Sequence, residues 1–271
     1  MKPKNGTCAL TGTYGKYVKA HILPESLTRP SIPGEYFIQA GKGERPIKRW
    51  TSWYDPNLVT SEGERILASY DDWAIAELRR LNLVWSNAYS NYISASSDWN
   101  PVGQTGHGVR FFDQTDGDKL RLFLLSILWR AAASKLPELR QIRISKRHLA
   151  RIARMLMNAD PHPYYFYPAC LIQLSGIGPR HNYTPLPDKK RFDNNTSVRI
   201  FRFYLDGLAI HFHRDMDLGD WRSMGDLCVQ GSGRIGVITV PYEISHQNEV
   251  LEREAQSAEA QWADILARLA K

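Results

Sequence analysis

The hydrophobic pattern of this chain changes period several times, and those changes decide what it can fold into. Residues 1 to about 60 are rich in Gly, Pro and aromatic residues with short apolar runs, a composition of strands and loops. From Ser61 the period becomes helical. Leu67, Tyr70, Ala74, Leu78 and Leu81 recur on one face, and Ser61-Glu62-Gly63-Glu64 reads as a capping box, so a helix is expected over 61–82. Ser86 to Gly117 is polar, with an Asn-Pro step and several glycines, and reads as a long surface loop. Leu120, Phe123, Leu124, Ile127, Leu128 and Ala131 then form a stripe wide enough for a core helix. Ser145 caps a further helix through Met157, with Leu149, Ile152 and Leu156 inward and Lys146, Arg147, Arg151 and Arg154 outward.

Beyond Tyr164 the pattern is strand-like. Tyr164 to Leu174, Val198 to His213 and Ile235 to Ile244 are rich in β-branched and aromatic residues, which predicts an antiparallel sheet. Leu251, Ala255, Ala258, Trp262, Ile265 and Leu269 share one face of a terminal helix, which can pack on that sheet, on a protein partner or on a second copy. The expected fold class is α+β, divided into a small core over 1–85, a loop over 86–117, and a helical and antiparallel-sheet region over 118–271 that can be a second domain. A chain of 271 residues buries a sizeable core without staples.

Cys8, Cys170 and Cys228 are odd in number and far apart, which argues against a disulfide framework and fits a reducing cytoplasm. No apolar run has signal-peptide or membrane-spanning length, so a cytoplasmic protein without membrane partners is expected. The formal charge is +7, and it is unevenly placed: residues 1–60 carry nine Lys/Arg against four Asp/Glu, residues 246–271 three against five. A basic N-terminal part suits a polyanion such as DNA or RNA. Many basic proteins bind no nucleic acid, so charge alone does not establish one.

Cys8-Ala-Leu-Thr11-Gly12, then Ala20-His21-Ile22-Leu23-Pro24, then Leu58 to Glu64 and Ser69-Tyr70-Asp71-Asp72 resemble the HNH-endonuclease-like group with a ββα-metal core. Ser126-Ile127-Leu128-Trp129-Arg130 extends the resemblance loosely to about residue 157. It implies a small ββα-metal-like N-terminal core, with a Cys-x-x-Cys knuckle before the histidine strand and a second opening the helix. Here those pairs read Cys8/Thr11 and Thr60/Gly63, so the structural zinc is expected to be absent. The activity implied is metal-dependent endonucleolytic cleavage, as in toxin or antiphage defence nucleases, with His21 as general base and Glu64, Asp71 and Asp72 as ligands for Mg²⁺ or Mn²⁺.

A neutral imidazole can deprotonate water at neutral pH, and hard carboxylate ligands suit a divalent cation that stabilises phosphate charge. Glu64 and Asp71 are two helical turns apart, roughly 10 Å along the axis, so one ion would need further ligands. Each residue also has a plain structural job: His21 as a satisfied core histidine, Glu64 as half of a capping box, Asp71 and Asp72 as a solvated face. Asn57 and His107 are candidates to complete the motif, neither at the family's spacing. Lys48-Arg49-Trp50-Thr51-Ser52-Trp53-Tyr54 interleaves cations and aromatics as a single-strand surface does, which makes Lys19, Lys48, Arg49 and Trp53 the candidate nucleic-acid contacts. His211 and His213, with Asp215 and Asp217 behind, could form a transition-metal site or simply alternate on a wet sheet. Gly231-Ser232-Gly233-Arg234-Ile235-Gly236 reads as a hairpin turn, not a dinucleotide loop. The alternative to an endonuclease is a noncatalytic nucleic-acid-binding or protein-binding module on a degenerate nuclease scaffold.

Overall fold

A computed structural model describes residues 4–28, 37–41, 44–50, 52–87, 98–179, 181–191, 197–231 and 233–269. The strands are β1 (Asn5–Thr7), β2 (Tyr14–Lys16), β3 (Ala20–His21), β4 (Phe37–Gly41), β5 (Glu44–Arg49), β6 (Tyr54–Asp55), β7 (Trp99–Pro101) and β8 (Gly108–Phe112). They continue with β9 (Ala169–Leu174), β10 (His181–Tyr183), β11 (Leu186–Arg191), β12 (Ser197–Leu205), β13 (Leu208–His213) and β14 (Ile235–Val240). The helices are α1 (Ser61–Arg80), α2 (Gly117–Ala133), α3 (Lys146–Asn158), α4 (Leu218–Met224) and α5 (His246–Leu269). Helices and a large sheet coexist without βαβ repetition, an α+β fold.

The main sheet has the order β11-β12-β13-β9-β14-β8-β7. Its neighbours are antiparallel except β14, which runs parallel to β9, so the sheet is mixed. Alternation along β12 and β13 assigns its two faces. Phe201, Phe203, Leu205, Leu208, Ile210 and Phe212 pack into one core with α1, α2 and α3. Tyr204 points the other way, into a smaller cluster with Trp85, Leu174, Tyr183, Tyr242 and Val250. α2 is buried from Leu120 to Ala131, the pattern of a helix enclosed on all sides, and it packs against both α1 and α3.

Several local expectations change. The stretch 86–117 holds β7 and β8, which pair with each other and carry β8 onto β14. In β8 the alternation of buried and half-buried residues is only five residues long, and the Asn-Pro and glycine signals around it mask it. No capping box forms at α1. Thr60 occupies the N-cap without a side-chain bond, and Glu64 N–H donates to the Thr60 carbonyl at 2.9 Å as an ordinary first helical bond. The helix ends at Arg80, with Asn82 at φ +50 closing it. Ile235 and Gly236 lie within β14 and belong to no local hairpin, because both partners of β14 are distant in sequence. Ser145 caps α3 as expected, its Oγ accepting from His148 N–H at 3.2 Å. In α5, Val250 and Leu251 pack against the smaller cluster while Ala255 is exposed. The side chains of Ala258, Trp262, Ile265 and Leu269 lie outside the described residues. Among the described residues no helix is long and apolar enough to cross a membrane.

Candidate functional site

His21 is positioned by a short antiparallel ladder. Ala20 pairs with Asp55 and His21 with Tyr54, Ile22 N–H donates to Trp53 O at 2.9 Å, and Val18 N–H donates to Val59 O at 3.2 Å. Ile22, Leu23 and Trp53 anchor the ladder in the core, and α1 follows at Ser61. The histidine therefore stands half-buried at the end of a strand, with one edge against Tyr54, ring centroids 6.2 Å apart. Its Nε2 is buried without a hydrogen-bond partner, 3.7 Å from a Glu25 carboxylate oxygen. Burial lowers its pKa; Glu25 opposes that shift, while Lys19 and Arg130 add to it. The imidazole is thus kept neutral at ordinary pH.

The carboxylates assigned to a metal are held in other ways. Asp71 accepts two hydrogen bonds from Arg130, at 2.6 and 2.8 Å, and the same guanidinium donates to the His21 carbonyl at 3.0 Å and to Ser126 Oγ at 3.1 Å. This fork between β3 and α1 is a planar, bidentate match that neutralises Asp71 with a fixed cation. Glu64 has one carboxylate oxygen buried without a partner; burial raises its pKa, with Arg130 opposing and Asp71 reinforcing. Asp72 is exposed. Among the described residues no group of three His, Cys, Asp or Glu side chains is placed to hold a metal ion. With both oxygens of Asp71 already taken by a guanidinium, the donors around His21 do not fit Mg²⁺ or Mn²⁺.

The four knuckle positions meet in one place. Cys8 is buried, and a Cβ added to Gly63 would stand 2.6 Å from its Sγ. Burial pushes the Cys8 thiol up, but hydrogen bonds from Thr11 and from the backbone of Thr60 and Leu10 outweigh it and leave the pKa lowered. Gly12, at φ +75, closes the turn by donating its N–H to the Cys8 carbonyl at 2.9 Å. One thiol with two threonines and a glycine does not fit zinc. Packing of Cys8 into the space left by the missing Gly63 side chain joins the two turns directly.

The expected nucleic-acid contacts separate. Lys19 is exposed with its Nζ 4.2 Å over the Tyr54 ring, and Lys48 is exposed on β5. Trp53 is a correction: only 4% exposed, it is a core residue and offers no face to a base. Its neighbours Trp50 and Tyr54 are the exposed rings, at 63% and 43%. Strand alternation, Trp53 in and Tyr54 out, is the signal that would have chosen between them. The side chain of Arg49 lies outside the described residues. On α3, Lys146, Arg147 and Arg154 are exposed and Arg151 lies 4.5 Å from the Phe166 ring, with Ile152, Met155 and Leu156 buried beneath.

The remaining candidates have other partners. Asn57 is exposed, and its N–H donates to Asp55. His107 bonds Thr105 in the turn joining β7 to β8. His211 and His213 do share one sheet face, but it is buried rather than wet. Asp215 pairs with Arg199 at 2.6 Å and Asp217 caps α4. No family model, curated protein or solved structure matches this chain.

Proposed function

We propose that the protein binds nucleic acid through the exposed edge of the β3–β6 ladder, on an HNH-like ββα scaffold that has lost its metal centre. The observation that carries this reading is Tyr54, an exposed ring with the Lys19 ammonium 4.2 Å above it and His21 against its edge. A base stacked on such a ring places its phosphate within reach of the lysine, the combination used for single strands. Exposed Trp50 and Lys48 extend the same chemistry. Two further observations support the scaffold: the strand–strand–helix order around His21, and the convergence of Cys8, Thr11, Thr60 and Gly63. A cytoplasmic site of action belongs to the same reading.

One observation favours phosphodiester cleavage as a second reading. His21 is neutral and sits beside Glu25, as a proton acceptor and its orienting carboxylate would.

The test titrates labelled single-stranded and duplex oligonucleotides at stepped salt, with Tyr54→Ala and Lys19→Ala alongside the wild type. Affinity should fall steeply with salt, and Tyr54→Ala should remove about 1–3 kcal/mol per stacked base. Binding that is absent, or indifferent to both salt and Tyr54, overturns the proposal. The same samples incubated with Mg²⁺, Mn²⁺ or chelator report cleavage. Product that disappears in His21→Ala while binding persists establishes the second reading.

A further inference from the structure

Two of the three cysteines meet beside β9 of the main sheet. Cys170 on β9 and Cys228, just after the 3₁₀ turn Gly225–Leu227, have their Sγ atoms 3.7 Å apart. Their backbones run side by side, since Val229 N–H donates to the Ala169 carbonyl at 2.9 Å. His213 adds an imidazole Nε2 3.5 Å from Cys170 Sγ, and Met224 a thioether 3.8 Å from Cys228 Sγ. Both thiols are buried and free.

We propose that Cys228 and Cys170 form a hydroperoxide-driven, reversible disulfide pair, with Cys228 the attacking thiol and Cys170 the resolving one. The sulfurs need close by less than 2 Å to reach bonding distance, on segments already hydrogen-bonded to each other. Position sets the roles: Cys228 lies against Met224 of α4, a helix with no buried residue, whereas Cys170 is enclosed within β9. The bond from Cys170 is the main cause that leaves the Cys228 thiol lowered, burial opposes it, and the nearby charge of Arg121 assists. Arg121 is itself buried, with one guanidinium nitrogen lacking a partner. The Cys170 thiol is pushed well up by its bond to Cys228 and by burial, so it stays protonated until it resolves.

The chemistry balances with a hydroperoxide as oxidant. The Cys228 thiolate attacks the terminal peroxide oxygen, the O–O bond breaks, and the alkoxide leaves and takes a proton as alcohol. Sulfenic acid remains on Cys228. Cys170 sulfur then attacks that sulfur, the S–O bond breaks, and the departing hydroxide takes the Cys170 proton as water. Two thiols and one hydroperoxide thus give one disulfide, one alcohol and one water.

Access comes through the cover. Cys228 lies immediately below α4 and the following turn, and α4 has no buried residue. A segment with so little buried surface opens locally at small cost, which admits a water-sized oxidant without global unfolding.

The experiment uses the full reduced chain, treated with hydrogen peroxide, quenched, alkylated under denaturing conditions and mapped by mass spectrometry. The expected result is loss of two thiols, a Cys170–Cys228 linked peptide, Cys8 in no disulfide, and recovery of both thiols with dithiothreitol. In Cys170→Ser the reaction should stop at a sulfenic acid on Cys228 that dimedone traps; in Cys228→Ser, Cys170 should remain alkylatable. The wild-type map stands even if either variant misfolds. Full alkylation of both cysteines after peroxide, oxidation confined to Met224, or protection that zinc confers and a chelator removes would each overturn the proposal. None of these outcomes depends on whether the β3–β6 edge binds nucleic acid.

Discussion

Arg130 joins the two halves of the candidate site: its guanidinium holds both oxygens of Asp71 on α1 while donating to the carbonyl of His21 on β3. The strand and the helix are thereby tied by a side chain rooted in α2, which is buried from Leu120 to Ala131. The arrangement places a fixed positive charge on Asp71, one of the carboxylates that the resemblance implies as a metal ligand.

Removing that charge should be costly. Arg130 is 1% exposed and Asp71 is largely covered, so Arg130→Met strands a carboxylate beside Glu64. Breaking a buried pair by deleting one partner costs about 3–5 kcal/mol, whereas replacing both by apolar residues is far milder. Urea unfolding of Arg130→Met and of Arg130→Met with Asp71→Leu should show the double variant recovering most of the loss. A single variant as stable as the wild type would remove Arg130 from this role.

Gly63 is predicted to be intolerant of even one methyl group. The added Cβ would meet Cys8 Sγ at 2.6 Å and Val59 Cβ at 3.1 Å, both in buried surroundings. Overpacking of this kind costs typically 1–3 kcal/mol despite the gain in helix propensity. Gly63→Ala should therefore melt lower than wild type, and adding Cys8→Ala should return part of the loss. A Gly63→Ala protein with unchanged melting would mean that Cys8 yields freely.

Local signals were readable where a single element decides them. The Ser145 cap, the apolar stripe of α2 and the helix from Ser61 all rest on residues a few positions apart. What stayed hidden depends on long-range pairing. β14 is parallel to β9 because of a crossover that no local period records, and Arg130 reads as one more residue of an apolar helix until Asp71, 59 positions earlier, is folded against it. At the candidate site, the motif points to His21 and the charge and aromatic pattern to Lys19 and Trp53; the fold sets His21 and Lys19 against the exposed Tyr54 ring and buries Trp53. The two aromatic residues are adjacent in sequence, yet Trp53, just before β6, is turned into the core while Tyr54, the first residue of β6, is exposed.

That difference separates folding from binding. Trp53→Ala should destabilise the protein by about 3–5 kcal/mol, as deletion of a buried aromatic does. Tyr54→Ala should lower the unfolding free energy far less, by about 1 kcal/mol or under, while weakening oligonucleotide binding, because Tyr54 is 43% exposed. Thermal melts and fluorescence anisotropy on the same preparations give both quantities. Equal effects of the two substitutions on stability would place Tyr54 in the core.

Acid should unfold this protein through its buried histidines. Burial is the leading cause that takes His181 and His213 from 6.5 down to about 4, and His211 is lowered well below the usual range for the same reason. A histidine that is neutral when folded and protonates freely when unfolded stabilises the native state above its unfolded pKa. That contribution declines as pH falls from 6.5 and is lost by about pH 4 for His181 and His213. The span from 6.5 to about 4 corresponds to roughly 3 kcal/mol per histidine at its fullest. Unfolding free energy measured across this window should drop with a slope that carboxylates alone cannot supply near pH 6, where they are already ionised in both states. His213→Asn should be less stable at pH 7 and show a shallower slope. A wild-type profile that stays flat from pH 6.5 to 5 would mean that water reaches these rings in the native state.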